Sequence, residues 1–154
     1  MGKFDYVPAA LEALNVEKLF HKVRQRPGKP FWFGVHPAGS LVFAFPGNPV
    51  STFLCLYRYF LLWYFTQSQI ALNKIRVFAM LNKEVTFTAP VQYFMQVKLE
   101  ITETGQLLAI PAEGNGSGDF ANLMESDGFM ELAAGKTVFK KGEVYPVWAF
   151  NKII

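Results

Sequence analysis

The chain has 154 residues, which is enough for one domain or two small ones. Hydrophobic residues make up 51% of it and charged residues 18%, so the composition excludes a disordered chain, and its many aromatic rings either fill a core or face a partner. The net charge of +3 suits an anionic ligand, whereas a single short basic cluster and the lack of a ~20-residue apolar segment argue against nucleic-acid and membrane partners.

The first predicted element is a helix that begins at Asp5 and runs to about Glu17. Asp5 is a favourable N-cap, Pro8 fits the first helical turn, and Leu11 and Leu14 recur at helical spacing. No apolar leader segment opens the chain, so we expect a soluble, cytoplasmic protein.

A strand is predicted next, because residues 18–26 alternate between polar and apolar side chains. The cations of this region are Lys22, Arg24, Arg26 and Lys29. The first three stand two apart and would project from one strand face, while Lys29 is fixed between the two prolines of a rigid turn. Cations this concentrated repel each other unless they bind an anion or stay solvated, so the region predicts either an anion site or an ordinary solvated strand face.

Two short apolar strands, at residues 31–35 and 41–45, lead into a Pro-Gly-Asn-Pro corner. Asn48 is a favourable N-cap and Pro49 fits the first helical position, so a helix begins here. A helix N-terminus attracts anions, and the hydroxyl of Ser51 adds a donor. An ordinary strand-to-helix turn is the alternative. Combined with the cations, the corner predicts an oxyanion pocket at the carboxyl ends of the strands of an α/β layer.

This second helix carries apolar residues on nearly every side from residue 50 to residue 64, so we expect it to be buried on most sides. Cys55 lies within it and is interpreted as a buried, unreactive thiol. As the single cysteine, it excludes an internal disulfide and a cysteine-rich zinc site. The two histidines, His21 and His36, show no metal-ligand spacing and are interpreted as structural or surface residues.

The second half of the chain is rich in β-prone segments separated by polar turns. The predicted strands are residues 76–81, 84–87, 94–101, 107–111 and 144–150, with one helical turn at 119–125. This series predicts a small β-barrel or sandwich of about 80 residues, with a domain boundary near residues 68–74. The glycine-rich segment 114–118 can bring the backbone close to a ligand and is equally common as a plain loop.

Four motifs together resemble the MoeA/gephyrin family of molybdopterin molybdenumtransferases. They are M-G-x-x-D-Y at Met1–Tyr6, K-V-x-x-R-P-G-K-P at Lys22–Pro30, P-G-N-P-V-S at Pro46–Ser51 and G-x-G-S at Gly114–Ser117. The resemblance spans the chain and is strongest over residues 1–66. The fold that it implies is α/β plus β. Residues 1–70 would form the C-terminal half of a three-layer MogA-like α/β molybdopterin-binding domain, and residues 71–154 a small C-terminal β-barrel domain.

The resemblance also implies an activity and a site. Enzymes of this family insert molybdenum from molybdate into adenylylated molybdopterin, with magnesium, and release AMP during molybdenum-cofactor biosynthesis. The residues at matching positions of the implied molybdate site are Arg26, Lys29, Pro30 and Ser51. Further positions that line the implied active site are Asp5 and Lys22, as catalytic candidates, with Pro46 and Pro49. Ser117 falls on a serine contributed by the β-domain.

Two departures from the family pattern bear on activity. Gln96 stands where the family usually has an arginine, and Lys98 on the same strand face is the nearest alternative cation. Family members are much longer, so we expect the magnesium ligands and the dimer-forming domains in an N-terminal part, no metal ligands in this chain, and little or no activity from it alone. The alternatives are a non-catalytic anion- or protein-binding module derived from the family and, least supported, an RNA-binding domain.

Overall fold

A computed structural model describes residues 5–70, 76–112 and 120–150 of the chain. Its helices are α1 (Val7–Ala13), α2 (Pro49–Cys55), α3 (Leu61–Gln67) and α4 (Phe120–Glu125), and a π-helical segment, Leu56–Phe60, joins α2 to α3. Its strands are β1 (Glu17–His21), β2 (Gln25–Arg26), β3 (Trp32–Val35), β4 (Leu41–Ala44), β5 (Arg76–Leu81), β6 (Val85–Thr86), β7 (Gln92–Ile101), β8 (Leu107–Pro111), β9 (Gly128–Leu132), β10 (Val138–Phe139) and β11 (Val144–Ala149). Within these ranges no helix has the length and apolar character needed to cross a membrane.

The first helix is shorter than predicted. Its N-cap is Tyr6, which makes no side-chain cap hydrogen bond, so the prediction that Asp5 caps the helix is wrong. The helix ends at Ala13 because Asn15 adopts a left-handed conformation (φ 56°), which asparagine tolerates better than most residues and which terminates a helix. Glu17, predicted to end the helix, begins β1 instead.

The predicted continuous strand over residues 18–26 is divided in two. β1 ends at His21, and Lys22 has a positive φ of 68°, which strands do not accommodate. The amide of Lys22 donates to the carbonyl of Phe31, and that of Val23 to the carbonyl of Lys29, both at 3.0 Å. The chain therefore folds onto its own proline turn, and the prediction that three cations share one strand face is wrong.

The sheet of the N-terminal part is antiparallel, in the order β1-β3-β4. β1 and β4 both run antiparallel to the central β3, so they end at the same edge of the sheet, where His21 and Ala44 flank Trp32. All three residues line one open cleft, so the carboxyl ends of β1 and β4 face it as predicted.

The long helix is the continuous run of α2, the π-helical segment and α3. Aromatic rings fill the layer between it and this sheet. The ring of Phe31 stacks on Tyr59 at 4.7 Å, and Phe43 meets Phe60 edge-on at 5.4 Å. Much of the aromatic content is therefore internal packing.

The second part of the chain is a closed five-stranded β-barrel. Strands pair in the order β7-β8-β5-β11-β9, and β9 pairs in turn with β7, which closes the ring. This confirms the predicted barrel. β5 and β8 have the predicted bounds, whereas β9 and β10 were not predicted. The barrel interior is lined by the buried side chains of Ala79, Leu81, Met95, Val97, Ala109, Met130, Leu132, Phe139 and Val147.

The long helix packs on the outside of the barrel. Val50 and Leu54 of α2 are fully buried in a second core cluster with Phe94, Phe129 and Trp148, which lie on barrel strands. The alternation of a strand explains this arrangement, because neighbouring residues of β7, β9 and β11 face the barrel interior and the helix in turn. The two parts therefore share a core, and the boundary near residues 68–74 stays a prediction.

Burial of the helix is less complete than predicted. The buried residues of α2 are Val50, Ser51, Leu54 and Cys55, whereas α3 has none and its Tyr64 is 43% exposed. Leu62 of α3 packs on the core cluster at the barrel, and Trp63 packs on Phe43 of the sheet. The side of α3 that carries Tyr64 is in contact with solvent.

Candidate functional site

An open cleft of about 970 Å³ lies between the two proline corners that the sequence analysis identified. Its floor and walls come from α1, the end of β2, the turns at residues 26–30 and 45–48, and the start of α2. The predicted site residues that line it are Asp5, Arg26, Lys29, Pro30, Pro46 and Ser51. Lys29 and Ser51, which stand on different corners, therefore face one space.

The first corner is a tight turn whose backbone is buried and whose cations are exposed. Gly28 adopts φ 91°, a conformation that glycine supplies at no steric cost. Its carbonyl accepts a hydrogen bond from the amide of Phe31 at 3.1 Å. Pro27 and Gly28 are buried, while the side chains of Arg26 and Lys29 extend into solvent at the cleft. The turn thus holds two cations at the surface on a fixed backbone.

The barrel anchors the strand that leads into this corner. β2 pairs in parallel with β7, with Gln25 opposite Gln92 and Arg26 opposite Tyr93. The amide of Gln92 donates to the carbonyl of Arg24 at 3.0 Å. The Arg24 guanidinium donates to the carbonyl of Pro90, also at 3.0 Å. Arg24 therefore helps to dock β2 on the barrel and does not line the cleft.

The second corner is a well-capped helix start, as predicted. The side-chain oxygen of Asn48 accepts from the Ser51 amide at 3.0 Å and from the Ser51 hydroxyl at 3.2 Å. The hydroxyl of Thr52 donates to the carbonyl of Pro46 and so closes the turn from the other side. Ser51 is buried and lines the cleft. Its hydroxyl proton is donated to Asn48, so the donor that was predicted here for an anion is engaged in the helix cap.

Removing the cap is expected to destabilise the protein measurably. Asn48→Ala leaves the Ser51 amide and hydroxyl without their acceptor, which should lower the free energy of unfolding by about 0.5–2 kcal/mol. Urea denaturation followed by tryptophan fluorescence measures this change. Asn48→Asp supplies the same acceptor oxygen and serves as the control. Equal stability of the alanine variant and the parent would contradict the cap.

Other predicted site residues lie elsewhere. Lys22 and Pro49 are exposed and are not among the residues that line the cleft, although Pro49 belongs to the corner that carries Ser51. Lys22 follows the last residue of β1 in a left-handed conformation, which ends the strand. Ser117 and the glycine-rich segment 114–118 lie outside the described residues.

Neither β7 candidate lines the cleft. Gln96 is half-buried, and its side-chain oxygen is shielded from solvent with no hydrogen-bond partner among the described residues. Lys98 is exposed, and its ammonium lies 3.6 Å from the carboxylate of Glu100. Lys98 therefore does not supply the cation that Gln96 lacks.

Gln25 is the residue that the sequence analysis missed. Its side chain is only 4% exposed, its amide nitrogen donates to the carbonyl of Pro27 at 3.0 Å, and its oxygen accepts from the hydroxyl of Tyr59. In a strand, the side chain of residue 25 points to the face opposite that of residues 24 and 26. This alternation was the sequence feature from which a buried Gln25 could have been predicted. His21, interpreted as a structural or surface residue, also lines the cleft.

The described residues do not form a magnesium site. Magnesium is held by several oxygen ligands in octahedral geometry, and Asp5 is the one carboxylate among the described residues that line the cleft. No group of three or more His, Cys, Asp or Glu side chains comes together elsewhere within those ranges. The chemistry that the cleft supports by itself is electrostatic: exposed cations on rigid corners attract and hold a small anion.

Comparison with known proteins points to one family. Residues 79–150 match the family described as MoeA C-terminal region (domain IV). The chain is 38% identical, over 97% of its own length and 36% of the relative's, to a molybdopterin molybdenumtransferase of Synechocystis sp.. It is 58% identical over 53 residues, 34% of this chain and 13% of the relative, to the enzyme of the same name from Synechococcus elongatus.

Solved structures agree with these relatives. A molybdopterin biosynthesis MoeA protein from Pyrococcus horikoshii superposes with a TM-score of 0.66 and 28% identity, covering 94% of this chain and 34% of that one. The chain spans about a third of the length of such relatives. The sequence alignment and the structural superposition both cover more than the barrel, and they include the two corners that form the cleft. Residues 79–150 therefore belong to the family of the MoeA C-terminal region, and over nearly its whole length the chain is similar to molybdopterin molybdenumtransferases.

Proposed function

We propose that the cleft binds molybdate as part of a molybdopterin molybdenumtransferase, which transfers molybdenum from molybdate to adenylylated molybdopterin and releases AMP. One observation carries this proposal: Lys29 and Ser51, on two proline-stiffened corners far apart in sequence, line the same cleft. Family membership supplies the identity of the anion, since curated relatives are named for this reaction.

The physical chemistry of the cleft supports an oxyanion. Molybdate is a tetrahedral dianion, and an ammonium or guanidinium group that donates to such an oxygen forms a charge-assisted hydrogen bond about twice as strong as a neutral one. Arg26 and Lys29 provide these groups at the cleft. Pro30 restricts the backbone conformation of the turn that carries them. The volume of about 970 Å³ exceeds what one oxyanion fills and suits an organic substrate beside it.

The remaining residues have separate proposed roles. A dianion repels the Asp5 carboxylate, so we assign Asp5 to a proton or donor group of the organic substrate and not to molybdate. Pro46 forms part of the wall next to Ser51. Lys22, Pro49 and Ser117 remain predictions carried over from the resemblance, and each needs its own substitution to be assigned a role.

We further propose that these residues act within a larger assembly. Residues 1–70 would belong to a three-layer α/β molybdopterin-binding domain and residues 71–154 to the barrel domain, in a protein that forms a homodimer. The described residues offer a single cleft carboxylate, so magnesium would need ligands from outside them. We therefore expect the chain alone to bind the anion without completing the transfer.

Substitution of Lys29 tests the proposed anion site. Lys29→Met keeps the aliphatic stem and removes the charge, which should weaken molybdate binding about 10–100-fold, since a hydrogen bond to a charged group contributes about 1.5–3 kcal/mol. Isothermal titration with sodium molybdate at constant ionic strength measures the dissociation constant. Lys98→Met removes an exposed cation away from the cleft and should leave that constant unchanged.

Two results would overturn the proposal. One is the absence of saturable molybdate binding by the parent chain at millimolar concentration. The other is equal weakening by Lys29→Met and Lys98→Met, which would reduce the effect to net charge. Incubation of the chain with adenylylated molybdopterin, magnesium and molybdate tests whether the chain alone completes the transfer. AMP release at the rate of a full-length relative would contradict the expected inactivity. Anion binding without release would also fit a non-catalytic anion-binding module.

A further inference from the structure

We propose that Gln25 is a positioning residue: its buried carboxamide fixes the cationic turn of residues 27–29 against the long helix and so sets where Lys29 stands in the cleft. The inference rests on the proposed function for its consequence, anion affinity, but not for the geometry. Gln25 is outside the set of residues that the family resemblance implied.

Both ends of the Gln25 carboxamide are engaged. The nitrogen donates to the carbonyl of Pro27 at 3.0 Å, and the oxygen accepts from the hydroxyl of Tyr59, a residue 34 positions further along the chain. Gln25 is only 4% exposed, so water does not compete for these bonds. Loss of either partner would leave a buried polar group unsatisfied, which is costly in a protein interior.

The partner on the helix is itself held in place. Tyr59 lies in the π-helical segment Leu56–Phe60, whose wider turn changes the direction of its side chains relative to an α-helix. Its ring stacks on Phe31, with centroids 4.7 Å apart and planes within 7° of parallel. Burial raises the pKa of Tyr59 to about 12, so the phenol stays protonated and remains a donor to Gln25.

The turn is shaped around Gln25. A Cβ on Gly28 would lie 2.7 Å from the side-chain nitrogen of Gln25 and 3.1 Å from the sulfur of Cys55, so the glycine backbone packs directly on both. The strand that carries Gln25 is anchored to the barrel through its pairing with Gln92. Gln25 therefore links three units, the barrel edge, the helix and the cationic turn, at the point where Lys29 emerges.

The thiol of Cys55 reports on this arrangement. It is the single cysteine of the chain, it is fully buried, and burial raises its pKa to about 12. Because Gly28 packs on its sulfur, opening of the turn should expose the thiol to a disulfide reagent. Labelling that does not depend on low concentrations of urea reports a local opening, whereas labelling that rises with urea reports global unfolding.

The test compares Gln25→Met, which keeps the length of the side chain without its hydrogen bonds, with Gln92→Met as a matched control. Gln92 lies opposite Gln25 on β7, and its side chain donates to the Glu131 carboxylate at 2.7 Å and not to the turn. Gln25→Met should raise urea-independent labelling of Cys55 at least about tenfold, and weaken molybdate binding by a similar factor. Tyr59→Phe, which keeps the ring stack, should change Cys55 labelling and molybdate affinity in the same direction but by less. Combined with Gln25→Met, its effect on both should be less than additive.

Unchanged labelling and unchanged molybdate affinity in folded Gln25→Met would overturn the inference, as would equal changes in Gln92→Met. If the parent chain fails to bind molybdate, the proposed function falls, and labelling alone then decides whether Gln25 holds the turn. Increased labelling with unaltered molybdate affinity in a parent that does bind would refute the positioning role while leaving the anion site intact.

Discussion

Phe129→Ala is expected to lower the free energy of unfolding by about 3–5 kcal/mol, because it removes a fully buried ring where the barrel meets the long helix. Phe129 lies on β9, and its ring centroid is 5.5 Å from that of Phe150. Truncation leaves a cavity in the core cluster that also contains Leu54 of α2. A loss of this size is a large fraction of the stability of a typical domain.

Chemical denaturation in urea measures the effect, and Phe78→Ala is the matched control. Phe78 is the same residue type on the same barrel but is 62% exposed, so its truncation should change stability by less than about 1 kcal/mol. The consequence extends to the cleft, because α2 carries Ser51 and is held by this core. Similar losses for the two variants would mean that the helix does not dock on the barrel as described.

Gly28→Ala is expected to destabilise the protein by about 2–4 kcal/mol and to weaken molybdate binding. Gly28 adopts φ 91°, which carries a strain of about 1–3 kcal/mol for other residues. The new methyl would also lie 2.7 Å from the Gln25 side chain and 3.1 Å from the Cys55 sulfur, in a packed interior that tolerates added atoms poorly. The turn has to shift to relieve both effects, and Lys29 shifts with it.

Gly47→Ala provides the control from the same cleft. Gly47 belongs to the second corner, but a Cβ there would meet no atom within 4 Å. We expect its stability to stay within about 0.5 kcal/mol of the parent. Denaturation and titration with molybdate on the two variants check the contrast. A Gly28→Ala protein as stable as the Gly47→Ala protein would show that the turn is not as constrained as described.

Local signals predicted much of the fold. Strands β5 and β8 have alternating or apolar sequences bounded by turn residues, and their bounds match those predicted. β9 was missed for a physical reason. Both of its faces are buried, so Gly128, Phe129 and Met130 show no polar alternation, and Gly128 resembles a turn residue. A Cβ on Gly128 would lie 2.8 Å from the Trp148 carbonyl oxygen, so close strand packing explains the glycine.

The candidate site was predictable where its geometry is local. The cap that Asn48 forms with Ser51 spans three residues, and the Pro-Gly turn that presents Lys29 is equally short. The helix bounds of α1 and the shared face of the cations were predicted wrongly, because Asn15 and Lys22 adopt left-handed conformations that side-chain patterns do not reveal. Gln25 was missed because its importance depends on Tyr59, which contacts it only after folding.

The sequence by itself determined the two proline corners, the cap at Asn48 and most barrel strands, because those features arise from interactions within a few residues. The tertiary structure alone decided the closure of the barrel by β7 and β9, the pairing of β2 with β7 and the contact of Gln25 with Tyr59. Each of these joins segments far apart in the chain, and no local pattern records the partner. The cleft depends on both, since local chemistry supplies its charged corners and long-range packing brings them to one place.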